Sequence, residues 1–174
     1  MRIARPLGAV QFLSRLPPEV RHILPADLAS FRSASRFSLV QVWFGNPALH
    51  YEIWIRSRLA TIEIGLHFEA EPLTNARLLA AFRARDRAVR RALGSDARIE
   101  DWDKGWARIW EPVSFERLDV ALLAHVATRL AAYISVLEPI LLDELPSDVA
   151  WSEPVSRAAG AQRNAAGTRA RQRG

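Results

Sequence analysis

His50, Glu52, Glu63 and His67 fall within one stretch, LHYEIWIRSRLATIEIGLHFEA (Leu49–Ala70), and are of types that can bind metals or move protons. Apolar residues alternate with them: Leu49, Tyr51, Ile53 and Ile55, then Ala60, Ile62, Ile64, Leu66 and Phe68. Period-two alternation predicts two half-buried strands, so the polar residues share the outer face. A two-residue turn at Ser57-Arg58 keeps both apolar sets on one side. It sets Ile53 against Ile62, Tyr51 against Ile64 and Glu52 against Glu63. Ser-Arg is not the Asn-Gly type that the tightest hairpins favour, so a longer turn is the alternative.

Like charges directly opposite each other destabilise a sheet. Two close carboxylates can share a proton, raising one pKa for acid–base work. Carboxylates with imidazoles are also ligand types for zinc, manganese or iron. Four residues of strand span about 13 Å, however, so His67 lies too far from Glu63 to complete a shell. The plain alternative is a solvated face on which arginines such as Arg56 neutralise the carboxylates. Trp54 stands on the same face between Glu52 and Arg56, either covered by the N-terminal arm or exposed to a partner. No catalytic residue, complete metal-ligand set or cofactor follows from these residues.

The elements around the hairpin can be laid out in order. GAVQFLSRL (8–16) and Glu19–Leu24 predict two short helices separated by Pro17-Pro18, with a further turn at Asp27–Phe31. Ser38–Phe44 predicts a strand, and Gly45-Asn46-Pro47 a turn into the hairpin. Pro72–Leu93 predicts one helix that buries Leu78, Phe82, Val89 and Leu93 and ends at Gly94. Ala97–Pro112 predicts a second hairpin turning at Lys104-Gly105, with Asp101 opposite Arg108 and Trp102 opposite Ala107. Trp102, Trp106 and Trp110 resemble a stacking platform but are better assigned to core and sheet-edge packing. Ser114 is the expected N-cap of a long helix running to about Leu145.

The fold class expected is α+β. It comprises an antiparallel β-sheet, made of a three-stranded meander plus a second hairpin. Two main helices pack on one face, with a short helical N-terminal arm (1–37). Residues 1–156 are expected to form a single globular domain and 157–174 a disordered basic tail.

Charge divides the same way. The net charge is +5, and Arg157, Arg163, Arg169, Arg171 and Arg173 supply all of it, leaving residues 1–156 formally neutral. The candidate phosphate contacts are Arg83, Arg87 and Arg90 on one helix face, and Arg169, Arg171 and Arg173 in the tail. The absence of cysteine excludes disulfides and thiol catalysis and suits a cytoplasmic protein. No unbroken apolar run approaches the ~20 residues of a membrane span, and the N-terminus lacks a clear cleavage site for a signal peptide. There is no Gly-rich phosphate loop, GxSxG elbow, HExxH or calcium loop.

The strand opening onto TIEI (Thr61–Ile64), the helix start NARLLAAF (Asn75–Phe82), the hairpin around Trp102 with ARI (Ala107–Ile109) and the closing amphipathic helix form a pattern. Over residues 51–145 it resembles a bacterial domain family of unknown function, often found after nuclease-like modules in restriction-associated proteins. Members of that family commonly carry a Lys and a Glu roughly where Arg87 and Arg91 stand here. The resemblance implies an accessory role beside DNA-processing or defence systems and assigns no catalytic residue.

The function expected is therefore that of a non-enzymatic interaction or accessory domain. Its partner is a protein or a second copy, with weak nonspecific nucleic-acid contact through the tail and no membrane. The alternative is a small enzyme or metal-binding protein using the outer face of the 49–69 hairpin.

Overall fold

The structure is a computed structural model and describes residues 6–145. The tail, with Arg169, Arg171 and Arg173, lies outside the described residues, as do Asp148–Pro154.

The protein is α+β. Its six-stranded antiparallel sheet has the order β1-β2-β3-β4-β6-β5. The strands are β1 (Arg32–Arg36), β2 (Leu39–Trp43), β3 (Leu49–Arg56), β4 (Thr61–Phe68), β5 (Arg98–Asp101) and β6 (Ala107–Ser114). The helices are α1 (Ala9–Ile23), α2 (Pro72–Ala84), α3 (Asp86–Leu93) and α4 (Val120–Glu144). The inward residues of the strands, among them Val40, Tyr51, Ile53, Ile64 and Ile109, form one core with Phe12, Leu16, Leu78, Phe82, Val126 and Leu137 of the helices.

The meander has four strands, not three. β1, RSASR, is exposed at every position and carries no apolar alternation, so no periodicity marks it as a strand. The N-terminal arm is also more regular than expected. α1 runs unbroken through Pro17 and Pro18. Phe12, Leu13 and Leu16 before the prolines and Val20 after them are all buried in the same core. Tertiary packing there overrides the proline penalty. The predicted helix Pro72–Leu93 is instead two, broken at Arg85 (φ −105°, ψ 12°). α2 packs on β5, β6 and α4, and after the break α3 packs on α4. The N-cap of α4 is Asp119, which accepts from the Leu122 N–H at 2.9 Å, while Ser114 ends β6. α4 has the length and apolar composition of a membrane span, but here Leu123, Val126, Leu130, Ile134 and Leu137 are buried in the core.

Candidate metal centre

The hairpin register differs from the expected one by two residues. Ser57–Leu59 form a 3-10 turn and Ala60 takes a left-handed conformation (φ 49°), which lengthens the loop. Because the shift is even, the apolar residues keep to one face. The outer pairs change: Trp54 faces Glu63, Glu52 faces Gly65 and His50 faces His67. The expected Glu52–Glu63 repulsion is thus absent. Glu63 accepts from Arg56 at 2.7 Å and from Arg108 at 3.0 Å. That outcome matches the plain alternative for Glu63.

The second hairpin slips by one residue. A 3-10 turn at Asp103–Gly105, with Lys104 and Gly105 at positive φ, puts Glu100 opposite Arg108 and Asp101 opposite Ala107. Arg108 therefore bonds Glu100 (3.0 and 2.9 Å), and Asp101 pairs with Arg83 instead. Asn75 anchors the turn: its Nδ2 donates to Ala70 O and to Gly105 O, and its Oδ1 accepts from the Ala70 N–H.

These registers build an outer face that is largely closed by its own side chains. Across β3, β4, β6 and β5 one row reads His50, His67, Arg108, Glu100. The adjacent row from β2 reads Gln41, Glu52, Gly65, Trp110, Arg98. Gly65 makes room for Trp110: a Cβ there would lie 2.6 Å from both Ile109 O and Trp110 Cβ. The Arg108 guanidinium lies 3.9 Å from the Trp110 ring centroid and 4.9 Å from that of Trp102. Trp102 meets His67 edge-on at 5.1 Å and lies beside Trp106. The three tryptophans thus gather on the outer face, against Arg108 and His67.

Under this cover His50 and His67 are only 2% and 3% exposed. Their rings stack 5.5 Å apart with 11° between planes. His50 Nδ1 lies 2.9 Å from Pro47 O and donates to it, which leaves a lone pair on Nε2. Gln41 Nε2 donates to that Nε2 and to Glu52 Oε2, both at 3.0 Å. Burial pushes the Glu52 pKa up, but the neighbouring imidazoles of His50 and His67 and the hydrogen bond from Gln41 outweigh it and hold the carboxyl below its ordinary value. Glu52 Oε2 lies 3.6 Å from His50 Nε2, so a carboxylate stands beside the imidazoles.

His67 Nδ1 is buried and has no hydrogen-bond partner among the described residues. It lies 3.7 Å from Glu69 Oε1. His50, His67 and Glu69 each offer one ligand atom within 4.8 Å of the others. Zinc ligands about 2 Å from the ion sit about 3.3 Å apart in a tetrahedron, so the group must contract only modestly. Glu69 can supply the movement, since its side chain is 22% exposed.

The site therefore keeps His50 and His67, holds Glu52 beside them and excludes Glu63. Glu69 and Gln41 were missed. His67-x-Glu69 is a same-face spacing and carried a signal for Glu69, whereas Gln41 reaches the site only through the β2–β3 register. Trp54 is half-buried on the outer face with Arg56 stacked 4.2 Å from its ring centroid, away from α1, which packs in the core. Of the helical arginines, Arg83 pairs with Asp101 and Arg90 with Asp86, and Arg87 is exposed. Comparison with protein-family models, with curated proteins and with solved structures finds no match to this chain.

Proposed function

We propose that this protein binds a divalent transition-metal ion, zinc fitting best, through His50 Nε2, His67 Nδ1 and Glu69 Oε1. The observation that carries the proposal is His67 Nδ1: a buried ring nitrogen with no hydrogen-bond partner among the described residues, 3.7 Å from a carboxylate. A buried polar atom left unpaired costs about 1–3 kcal/mol, which a bound cation would recover. His50 supports it: its imidazole donates one N–H to a carbonyl, as metal-binding histidines do, and its Nε2 lone pair, which accepts from Gln41, would take the ion in place of that donor. The ionised Glu52 adds charge of the right sign. Three protein ligands leave a fourth position for water, as in zinc centres that do chemistry.

Zinc titrated into chelator-treated protein should bind one ion per chain and raise the melting temperature. At about a hundred times Kd the gain is about 2.7 kcal/mol. His67→Gln and Glu69→Gln should each remove most of it. No gain in the wild type, or a gain untouched by His67→Gln, would overturn the proposal.

A second function, docking of a protein partner, is favoured by Phe37. It is 96% exposed and has a positive φ of 46°, a conformation unusual for a bulky residue. The neighbouring Ser38 lines a cleft with Trp54, Arg58 and Leu59. Aromatic residues, phenylalanine among them, are enriched in interfaces relative to the rest of a protein surface. The family resemblance supports this function, since it implies an accessory domain beside DNA-processing proteins. Concentration-dependent association that Phe37→Ser abolishes is the expected result for a second copy; a strict monomer would count against self-association.

A further inference from the structure

On the opposite side of the sheet from the histidines, Tyr51 alternates inward on β3, and its hydroxyl donates to Glu138 Oε2 at 2.9 Å. Glu138 is 2% exposed, in α4 next to Pro139. Its second oxygen, Oε1, is buried and unpartnered among the described residues. Among the described residues no cationic side chain pairs with this carboxyl. Burial dominates and pushes its pKa up to about 7, with only the Tyr51 hydrogen bond pulling it down. A lone carboxyl in an apolar core is costly, and such groups are normally paired.

Glu138 borders a cavity of about 340 Å³ that is also lined by Asp27, Leu28, Phe44, Gly45 and Leu142. Asp27 is exposed and Leu142 is 53% exposed, so the cavity opens to solvent between them. Phe44 belongs to an aromatic cluster, edge-on to Phe31 at 6.2 Å and to Tyr51 at 6.5 Å. Among the described residues the lining holds two carboxyls, an aromatic ring, two leucines and no basic residue.

We propose that this cavity binds a small organic ammonium ion, whose N–H donates to Glu138 Oε1 while its apolar body lies against Leu28, Phe44 and Leu142. The chemistry fits on three counts. The cation supplies the charge partner that Glu138 lacks, and charge-assisted hydrogen bonds in a desolvated site are the strong ones. Aromatic rings attract cations over their faces. Asp27 at the mouth draws positive charge and repels anions. An anionic or purely apolar ligand would leave Oε1 unpaired or face like charge.

Benzylamine is the probe, with benzyl alcohol as its neutral match in shape, titrated calorimetrically into the full chain at pH 8. Benzylamine should bind at one site, and at least about tenfold tighter than benzyl alcohol. Glu138→Gln should weaken it by a similar factor, with little change for the alcohol. Should Glu138→Gln fold poorly, Leu142→Lys provides the second test: the position is exposed, and a like charge at the mouth should weaken benzylamine several-fold. Equal binding of amine and alcohol, no saturable binding of the amine, or wild-type affinity in the folded variants would overturn the proposal.

Discussion

His50 and His67 stand directly opposite each other on β3 and β4, with their rings stacked at 5.5 Å. His67 Nδ1, which has no hydrogen-bond partner among the described residues, gives an asymmetric expectation. His67→Phe replaces an unsatisfied polar group by an apolar ring of similar shape, so the metal-free protein should be as stable as wild type or up to about 1 kcal/mol more so. The same variant should lose the zinc-dependent rise in melting temperature. Melts with and without zinc decide it; a loss of several kcal/mol without metal would show that His67 Nδ1 has a partner.

Glu63→Gln should destabilise. On the expected register this change would have relieved a repulsion. In the structure it removes an acceptor from Arg56 and from the nearly buried Arg108. Hydrogen bonds to charged groups are worth about 1.5–3 kcal/mol, so a cost of about 1–2 kcal/mol is expected in urea unfolding. A neutral result would show that Arg56 and Arg108 do not depend on the Glu63 charge.

Gly65→Ala should be worse. The new methyl would meet Ile109 O and Trp110 Cβ at 2.6 Å, and neither can swing aside because one is backbone and the other is fixed at its Cβ. Overpacking of this kind costs about 1–3 kcal/mol or more. A melting temperature equal to wild type would mean that β4 and β6 separate more easily than their pairing indicates.

Glu138 gives a pH signature. Its folded pKa of about 7 lies above the ordinary 4.5, so between those values the folded protein holds a proton that the unfolded chain has lost. Stability is therefore greatest below the lower value and falls as pH rises through the upper one. At about 1.4 kcal/mol per pH unit the whole span is worth up to about 3 kcal/mol. Glu138→Gln should flatten this fall, measured as unfolding free energy at pH 5 and pH 8. Equal slopes in the two proteins would remove Glu138 as its source.

Phe37→Asn should stabilise by about 1 kcal/mol. Phe37 holds a left-handed backbone that asparagine tolerates, and its ring is 96% exposed, so little burial is lost. A melt that drops instead would show the ring buried against a second molecule.

Much of this fold is legible from periodicity. The alternation from Leu49 to Phe68 identifies both strands and the face they bury, because an even register shift leaves the parity intact. What periodicity does not carry is the loop geometry that fixes the pairs. Ala60 and Lys104 adopt positive φ without being glycine, and each changes which side chains meet. Hence Glu52 and Glu63 separate, His50 and His67 meet, and Arg108 pairs with Glu100. β1 was invisible because RSASR has no buried residue to alternate. Glu138 was hidden for another reason: a single acid on an apolar helix has meaning only once Tyr51 is placed across from it.

The ends of the sheet bear on how the molecule meets others of its kind. β1 is five residues with arginine at both ends, and β5 is the four residues RIED. Short, charged edges are poor templates for another strand. Growth of the sheet by edge-to-edge addition, the route to fibrous aggregates, is therefore disfavoured at either side. An ordered assembly would instead use side chains, and the hairpin tip that presents Phe37 offers the most exposed aromatic ring among the described residues.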